Sequence, residues 1–376
     1  MELNLFVQGY WEKNLGDDLF LYILCNKYPS THFSISGKKK NTKIFAAIDN
    51  LDIIEQKNNI LTKIMNKGFS KLGLLNPYDK IGLNYSGYIE IGGSIFILPN
   101  KLNQVDLWLK RRKYIVENNK NYFVIGSNFG PFFFHEQIEE YRNFFSKLIS
   151  VNFRDLKSYN MFSELSNVNV APDVIFNLYN ENTNFLKKEK TVVISVIDLE
   201  VKSKSPGSED LIKFNKEYNN KLVELVNYYL TNDYDKVILM SFCDNEGDLN
   251  TCNFIYDNVN NIEFKEKIEI FSHNNINKSL EVLKNASLVI ASRFHAMILG
   301  WIFESSTIVI GYSDKTKQTV DYLNINQQVL SISEFTDMSA KEIDKSQYLI
   351  EKATLQSLKE KSEVQFKDLD AFVNTY

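Results

Sequence analysis

The sequence predicts an α/β protein made of two doubly wound domains that face a shared cleft, followed by a helical C-terminal segment. Short apolar runs recur along the chain, each followed by a small or charged turn and then by a stretch of helical period. That order is the grammar of parallel β-α-β units. It runs through residues 1–180 and starts again through residues 191–335, and the polar, charged stretch 180–190 between them reads as a linker. At 376 residues the chain is long for one domain and comfortable for two, so core size is no constraint.

Residues 3–7 read as the first buried strand, a polar loop follows to Asp18, and residues 19–28 read as an apolar helix. Gly9 and Gly16 permit tight turns in that loop, and Asn14, Asp17 and Asp18 can cap or open the helix. The loop is neither Gly-x-Gly-x-x-Gly nor a Walker loop, so it makes no case for a dinucleotide or a nucleoside triphosphate. Residues 37–43 read as a solvated basic turn, 44–48 as a strand, and 50–71 as a mixture of helical period and polar turns. A strand at 88–91 ends in Gly92-Gly93-Ser94, where the backbone can come close to another group. A helix at 104–118, a strand at 122–125 with the glycine turn from Gly126 to Pro131, a helix at 138–148 and a strand at 149–153 follow. Arg154-Asp155 leads into another helix, and 170–174 is a short strand or bend. In the second half, strands are expected at 192–197, 236–242, 268–271, 288–291 and 307–310, with helices at 211–230, 277–283 and from Met297 onward. Residues 338–376 are charged and helical and are expected to pack across the domains. Both halves are therefore expected to be Rossmann-like.

Apolar residues make up 44% and charged residues 24%, as in an ordinary globular protein. With 43 basic and 47 acidic residues the net charge is −4, which gives no bulk attraction to nucleic acid or an anionic membrane, so any anion site must be local. Cys25, Cys243 and Cys252 lack metal-ligand spacing and fit reduced thiols. The four histidines are far apart in sequence, and no metal site is expected. The start of the chain shows no signal peptide, and no run of 18 apolar residues suggests a membrane span. A cytoplasmic location is expected, with the inner membrane surface reached only through the substrate.

The most informative stretch is 286–300. An apolar strand ends at Ala291, Ser292 stands where a helix cap belongs, and an apolar helix continues from Met297. Arg293 and His295 therefore fall at the carboxyl end of a strand, where open α/β sheets place ligands. A helix N-terminus suits an anion, Arg293 adds a planar donor fork and His295 adds a group that exchanges protons near neutral pH. The alternative for Arg293 is a pairing with a nearby Asp, and for His295 a satisfied, half-buried ring.

Two such halves around one cleft resemble the architecture of GT-B glycosyltransferases. Seven segments in order further resemble the polysaccharide pyruvyl transferase family: Gly9-Tyr10…Asn14-Leu15-Gly16-Asp17, Gly92-Gly93-Ser94-Ile95-Phe96, Gly126…Gly130-Pro131, Arg154-Asp155…Ser158, Ala171-Pro172-Asp173, Ser292-Arg293-Phe294-His295-Ala296 and Gly311-Tyr312…Asp314-Lys315. The resemblance implies a GT-B-like fold and transfer of pyruvate from phosphoenolpyruvate to a sugar of a bacterial-type surface polysaccharide or its precursor. The product is a cyclic ketal, and phosphate is released. Phosphoenolpyruvate is then a co-substrate and no cofactor is implied; the acceptor's carrier, lipid or nucleotide, is left open. The first domain would be the acceptor side and the second the donor side. The family's Ser-Arg-x-His motif matches Ser292, Arg293 and His295 and is associated with donor binding and catalysis; Arg154 of the Arg-Asp motif would hold the donor as well. His295 is the candidate acid, Asp17 a base on an acceptor hydroxyl or a helix cap, and Lys315 a phosphate ligand or a solvated lysine. Gly9, Asn14, Gly16, Gly92, Gly93, Ser94 and Gly126 are expected in the cleft loops. The sequence departs from the family pattern at Gly92-Gly93-Ser94, where many relatives carry a third glycine, and at Phe132-Phe133-Phe134. Competing readings are a nucleotide-sugar glycosyltransferase on the same fold and, in another class, a non-enzymatic glycan-binding protein.

Overall fold

Strands of a parallel sheet covered by helices are buried on both faces, and so they read as continuous apolar runs. The chain supplies two sets. In the computed structural model, residues 3–56, 68–69, 83–101, 104–181, 188–232 and 234–376 are described; most of the 50–71 stretch and residues 182–187 of the expected linker lie outside them. The first set is β1 (Asn4–Gln8), β2 (His32–Gly37), β3 (Leu51–Glu55), β4 (Gly87–Ile91), β5 (Tyr122–Ser127), β6 (Ser150–Phe153) and β7 (Val168–Val170). They form one sheet in the order β3-β2-β1-β4-β5-β6-β7, every neighbour parallel. The second set is β8 (Glu189–Ser195), β9 (Lys236–Ser241), β10 (Ile268–Ser272), β11 (Ala286–Ala291), β12 (Ser306–Gly311) and β13 (Val329–Ser331). Its order is β10-β9-β8-β11-β12-β13, again all parallel. Each order reverses beside the first strand of its set, at β1/β4 and at β8/β11. Such a reversal opens a crevice at the carboxyl ends of the two strands.

The chain divides into two compact units, one of Met1–Trp11, Phe20–Val174 and Lys361–Tyr376, the other of Glu12–Leu19 and Ile175–Glu360. This differs from the division expected at 1–180, 191–335 and 338–376. The loop Glu12–Leu19 belongs with the second unit because Leu15 N–H donates to Phe242 O at 3.1 Å and Asn245 Nδ2 donates to Glu12 O at 2.8 Å. The last sixteen or so residues belong with the first unit because fully buried Gln365 is bonded into its sheet. Gln365 Oε1 accepts from Gly126 N–H at 2.8 Å, and its Nε2 faces the carbonyls of Phe153, Ala171 and Pro172 at 3.0–3.2 Å.

Local departures have local causes. The strand expected at 44–48 is absent; Lys43–Phe45 forms a 3-10 turn that packs the Phe45 ring edge-on against Trp11, and the strand comes later as β3. The basic turn at 37–43 is not a solvated loop, since Lys39–Thr42 forms a helical turn that buries Asn41 and Thr42. The first helix starts four residues earlier than expected and spans Leu15–Lys27, and the long helix of the second half spans Asn215–Thr231 behind a 3-10 turn.

The first unit has an aromatic core that includes Phe96, Phe129, Tyr141, Phe144, Phe145, Phe153 and Phe162. Inside it lies the ion pair Arg112–Glu90, with Arg112 also bonded to Tyr141 Oη and Ile95 O and its guanidinium carbon 4.3 Å from the Phe96 ring centre. The second unit's core is mainly aliphatic. Replacing Gln365 by Ala leaves several buried backbone groups unpaired. Each such group costs about 1–3 kcal/mol. Gln365→Ala should therefore lower the melting midpoint of the first unit by about 5–10 °C. A shift below a degree or two in calorimetry would show that the tail is not what closes this sheet.

Candidate active site

Because the strands of the second sheet all run the same way, their carboxyl ends lie on one edge, and the residues that follow them meet there. After β11, Ser292 N–H donates to Ser195 O at 3.0 Å, which continues the pairing with β8 at the switch point. The Ser292 hydroxyl accepts from Tyr218 Oη at 2.8 Å inside the core. Ser292 is thus not the helix cap expected of it. The cap position of the Phe294–Ile302 helix falls on Arg293, which makes no side-chain capping bond. The shift follows from the Ser292 side chain having turned inward to Tyr218.

Arg293 is buried, and its fork is filled by carboxylates. Asp248 Oδ2 accepts from Nε at 2.9 Å, Asp248 Oδ1 pairs with Nη2, and Glu246 Oε2 pairs with Nη1. The Asp pairing that the sequence left open for Arg293 is therefore present. Asp248 Oδ2 also accepts from the N–H groups of Phe242 and Cys243 at 3.1 and 3.0 Å. Burial alone would lower the guanidinium pKa, but Asp248 and Glu246 outweigh it and hold it well above its ordinary value. Glu246 Oε2 also pairs with Lys202 Nζ at 2.5 Å. Burial raises its pKa, yet Arg293 and Lys202 dominate and hold it down to about 2.

His295 stands half-buried in the first turn of the same helix, with its ring edge-on to Phe294, the ring centres 5.2 Å apart. A Cβ on Gly16 would lie 1.7 Å from His295 Nδ1, so only glycine lets the loop and the imidazole come this close. Asn14 caps the Leu15–Lys27 helix, accepting from Gly16 N–H at 3.1 Å while its carbonyl accepts from Asp18 N–H at 2.8 Å. Asp17 lies half-buried in the first turn of that helix. Lys315, on the Asp314–Tyr322 helix after β12, holds its ammonium 5.2 Å from the Phe294 ring centre. The structure thus brings Asn14, Gly16, Asp17, Ser292, Arg293, His295 and Lys315 to one edge of the second sheet.

The sequence also singled out residues of the first unit, and of these Gly93, Ser94 and Arg154 gather around Asn128. Gly9 leaves β1 beside Ile91 at the switch point, and Gly92 and Gly93 follow β4. Arg154 is buried, with Nη1 2.5 Å from Asp173 Oδ2 and Nη2 3.2 Å from Asn128 Oδ1. A Cβ on Gly93 would fall 1.9 Å from Arg154 Nη2, so the glycine pair makes room for the guanidinium. Ser94 is exposed and its hydroxyl faces Asn128 Oδ1 at 3.4 Å. Gly126 is not in a cleft loop. It lies buried within β5 and donates to Gln365, because the strand runs two residues further than its apolar run suggests. His135 is exposed beside Glu139 on the His135–Phe145 helix.

The partners of these residues are not marked in the sequence. Lys202, Glu246 and Asp248 carry no local motif, and neither does a fully buried chain of Asp18, His273 and Ser279. His273 Nε2 lies 3.0 Å from Asp18 Oδ2 and Nδ1 lies 2.7 Å from Ser279 Oγ. The Ser279 hydroxyl donates to Asn275 O at 2.9 Å, so it accepts from Nδ1–H, and one proton remains between Nε2 and Asp18. Burial pushes Asp18 well up and His273 down to about 4, and both directions favour that proton on Asp18. Among the described residues no group of three or more His, Cys, Asp or Glu could hold a metal ion, and no helix is long and apolar enough to cross a membrane.

Two parallel Rossmann-like sheets with this edge define an α/β protein of GT-B-like fold, and solved structures agree. UDP-N-acetylglucosamine 2-epimerase from Rickettsia bellii is similar at a TM-score of 0.57 and 11% identity, over 100% of this chain and 97% of that one. UDP-GlcNAc 2-epimerase from Methanocaldococcus jannaschii, in complex with UDP-GlcNAc and UDP, is similar at 0.52 and 13%, over 91% and 92%. An α,α-trehalose-phosphate synthase (UDP-forming) from Burkholderia vietnamiensis is similar at 0.52 and 8%, over 100% and 99%. At these identities the likeness is one of fold. No curated protein matches the sequence. The sequence profile of polysaccharide pyruvyl transferases matches residues 13–314, and the chain belongs to that family of transferases.

The single proton of the Asp18–His273 pair sets a pH dependence. Free Asp and His side chains titrate at 3.8 and 6.5, and between those values the unfolded pair also holds one proton, so the pair contributes no slope to stability. Above 6.5 the unfolded pair holds none, so stability falls as pH rises for as long as the folded pair keeps its shared proton. In Asp18→Asn, His273 alone binds fewer protons folded than unfolded between about 4 and 6.5, so stability rises across that window and is level above it. Melting temperatures of both proteins from pH 4 to 8 should differ in this sense; parallel profiles would contradict the one-proton pair.

Proposed function

We propose that this transferase moves pyruvate from phosphoenolpyruvate to two hydroxyls of a sugar in a surface polysaccharide or its precursor, closing a cyclic ketal and releasing phosphate. One observation carries the reading: within the family-matched span, His295 stands half-buried against Gly16, in the first turn of the helix that Arg293 heads at the switch point of the second sheet. The donor is a small enol ester with a carboxylate and a phosphate, and in a chain of net charge −4 it needs local positive charge. The N–H groups that open the Phe294–Ile302 helix, the outer edge of Arg293 and the Lys315 ammonium supply it.

In this reading His295 delivers a proton to the donor's methylene carbon, which leaves an oxocarbenium-like centre at the next carbon. A sugar hydroxyl adds there and gives its proton to a base, for which Asp17 is the candidate. The carbon–oxygen bond to phosphate breaks, the second hydroxyl closes the ring, and its proton leaves with the phosphate. A phosphate dianion beside an imidazole favours the protonated acid form. Asp248 fixes Arg293 at the helix start, and that position orients the donor. The acceptor's carrier, lipid or nucleotide, does not enter this chemistry.

Phosphate release from phosphoenolpyruvate, followed over a panel of acceptor glycans, tests the reading. The product should gain the mass of pyruvate less water. Turnover of UDP-sugars with no phosphate released from phosphoenolpyruvate would replace the reading with a glycosyltransferase. His295→Ala should lower turnover by about 10²- to 10⁴-fold with an unchanged melting temperature. Gly16→Ala forces the imidazole aside and should lower turnover by about 10²-fold, again without loss of stability. Full activity in either variant would remove the imidazole from the reaction.

A further inference from the structure

We infer that Glu246 is a built-in occupant of the donor's anion site: its carboxylate bridges Lys202 and Arg293, and it gives way to a phosphoryl group that the same two cations then bind. The donor's identity rests on the proposed function above; the anion site itself does not.

The two carboxylates on Arg293 are differently placed. Asp248 is wholly buried and holds Nε, Nη2 and two backbone N–H groups, so it is fixed. The contacts of Glu246 are to the two cations, and its side chain is 18% exposed, so a rotation carries it into water. Lys202, its other partner, is 19% exposed at the end of the short Leu199–Lys202 helix that follows β8. Its ammonium lies 6.0 Å from the ring centre of Tyr312, which follows β12. Lys202, Arg293 and Tyr312 thus come from the carboxyl ends of β8, β11 and β12, on the crevice side of the switch point.

A carboxylate oxygen shared by an ammonium and a guanidinium sits where a phosphoryl oxygen would be bound by the same pair. With Glu246 and Asp248 both in place, the two cations are balanced. Displacement of Glu246 by a dianion exchanges one negative charge for two beside the same cations, and the released carboxylate is rehydrated. The bridge also keeps Lys202 and Arg293 from repelling each other while the site waits for its ligand.

Calorimetric titration of the full chain with inorganic phosphate and with phosphoenolpyruvate tests this without turnover. Glu246→Gln removes the competing charge and should bind both about ten-fold more tightly. Lys202→Met should bind both about ten-fold more weakly. Glu200→Gln, on the same short helix but exposed and paired with Lys204 at 3.5 Å, measures the effect of net charge and should stay within about two-fold of wild type. Glu246→Asp keeps the charge on a shorter arm that reaches Lys202 less well, and should fall between wild type and Glu246→Gln. If Glu246→Gln binds phosphate no more tightly than wild type, or if Glu200→Gln tightens it equally, Glu246 is not the occupant. If Glu246→Gln tightens phosphate while phosphoenolpyruvate yields no phosphate with any acceptor, the anion site stands and the pyruvyl reading falls. If wild type releases phosphate from phosphoenolpyruvate but Glu246→Gln leaves affinity unchanged, the pyruvyl reading stands and this inference falls.

Discussion

An enclosed guanidinium has to be neutralised where it stands, because leaving it unpaired in a low-dielectric interior costs several kcal/mol. Arg293 meets that requirement through Asp248, and much of the second unit is arranged around the result. Asp248 opens the Asp248–Asn258 helix and takes the N–H groups of Phe242 and Cys243, so it ties the end of β9 to the end of β11. Phe242 in turn accepts from Leu15, which places the loop carrying Gly16 beside His295. One buried ion pair thus sets the start of the Phe294–Ile302 helix and the surroundings of the imidazole. Such a pair stabilises little by itself; its effect is to specify a single arrangement.

The first unit obeys the same rule with different residues. Arg154 is matched by Asp173 and Arg112 by Glu90, each within a few per cent of full side-chain burial. The Arg112 guanidinium lies over the Phe96 ring, a position that a weakly hydrated cation tolerates better than an ammonium would. Gln365 adds a neutral version of the same device, satisfying carbonyls at the ends of β6 and β7 from a distant part of the chain. Ten buried Phe and Tyr residues, Phe96 and Phe145 among them, build this core.

Much of this architecture was legible along the chain. Apolar runs bounded by small residues mark most of the strands because a parallel strand must be apolar on both faces. The runs at 288–291 and 307–310 became β11 and β12 with small extensions. A run too short to carry a period gives no such mark: Ile44 and Phe45 are apolar but turn, and β3, half-exposed at the sheet's edge, alternates too weakly to stand out. At the site, the order strand, polar turn, helix was enough to place Arg293 and His295 at a carboxyl edge. It could not show that Ser292 turns inward to Tyr218, since that depends on a helix some seventy residues away in sequence.

By itself, the sequence determined the class of fold, the strands' common direction and the family, because each rests on local period and local motif, which the chain carries in order. Which charges face one another was decided only by the tertiary structure. His273 and Asp18 stand 255 positions apart and Arg293 and Asp248 45 apart, and nothing in either neighbourhood names the other. Pairing energies depend on distance and burial, and both exist only once the sheets have formed. The state of the site therefore follows from the fold: an imidazole against a glycine, and a guanidinium already held by two carboxylates.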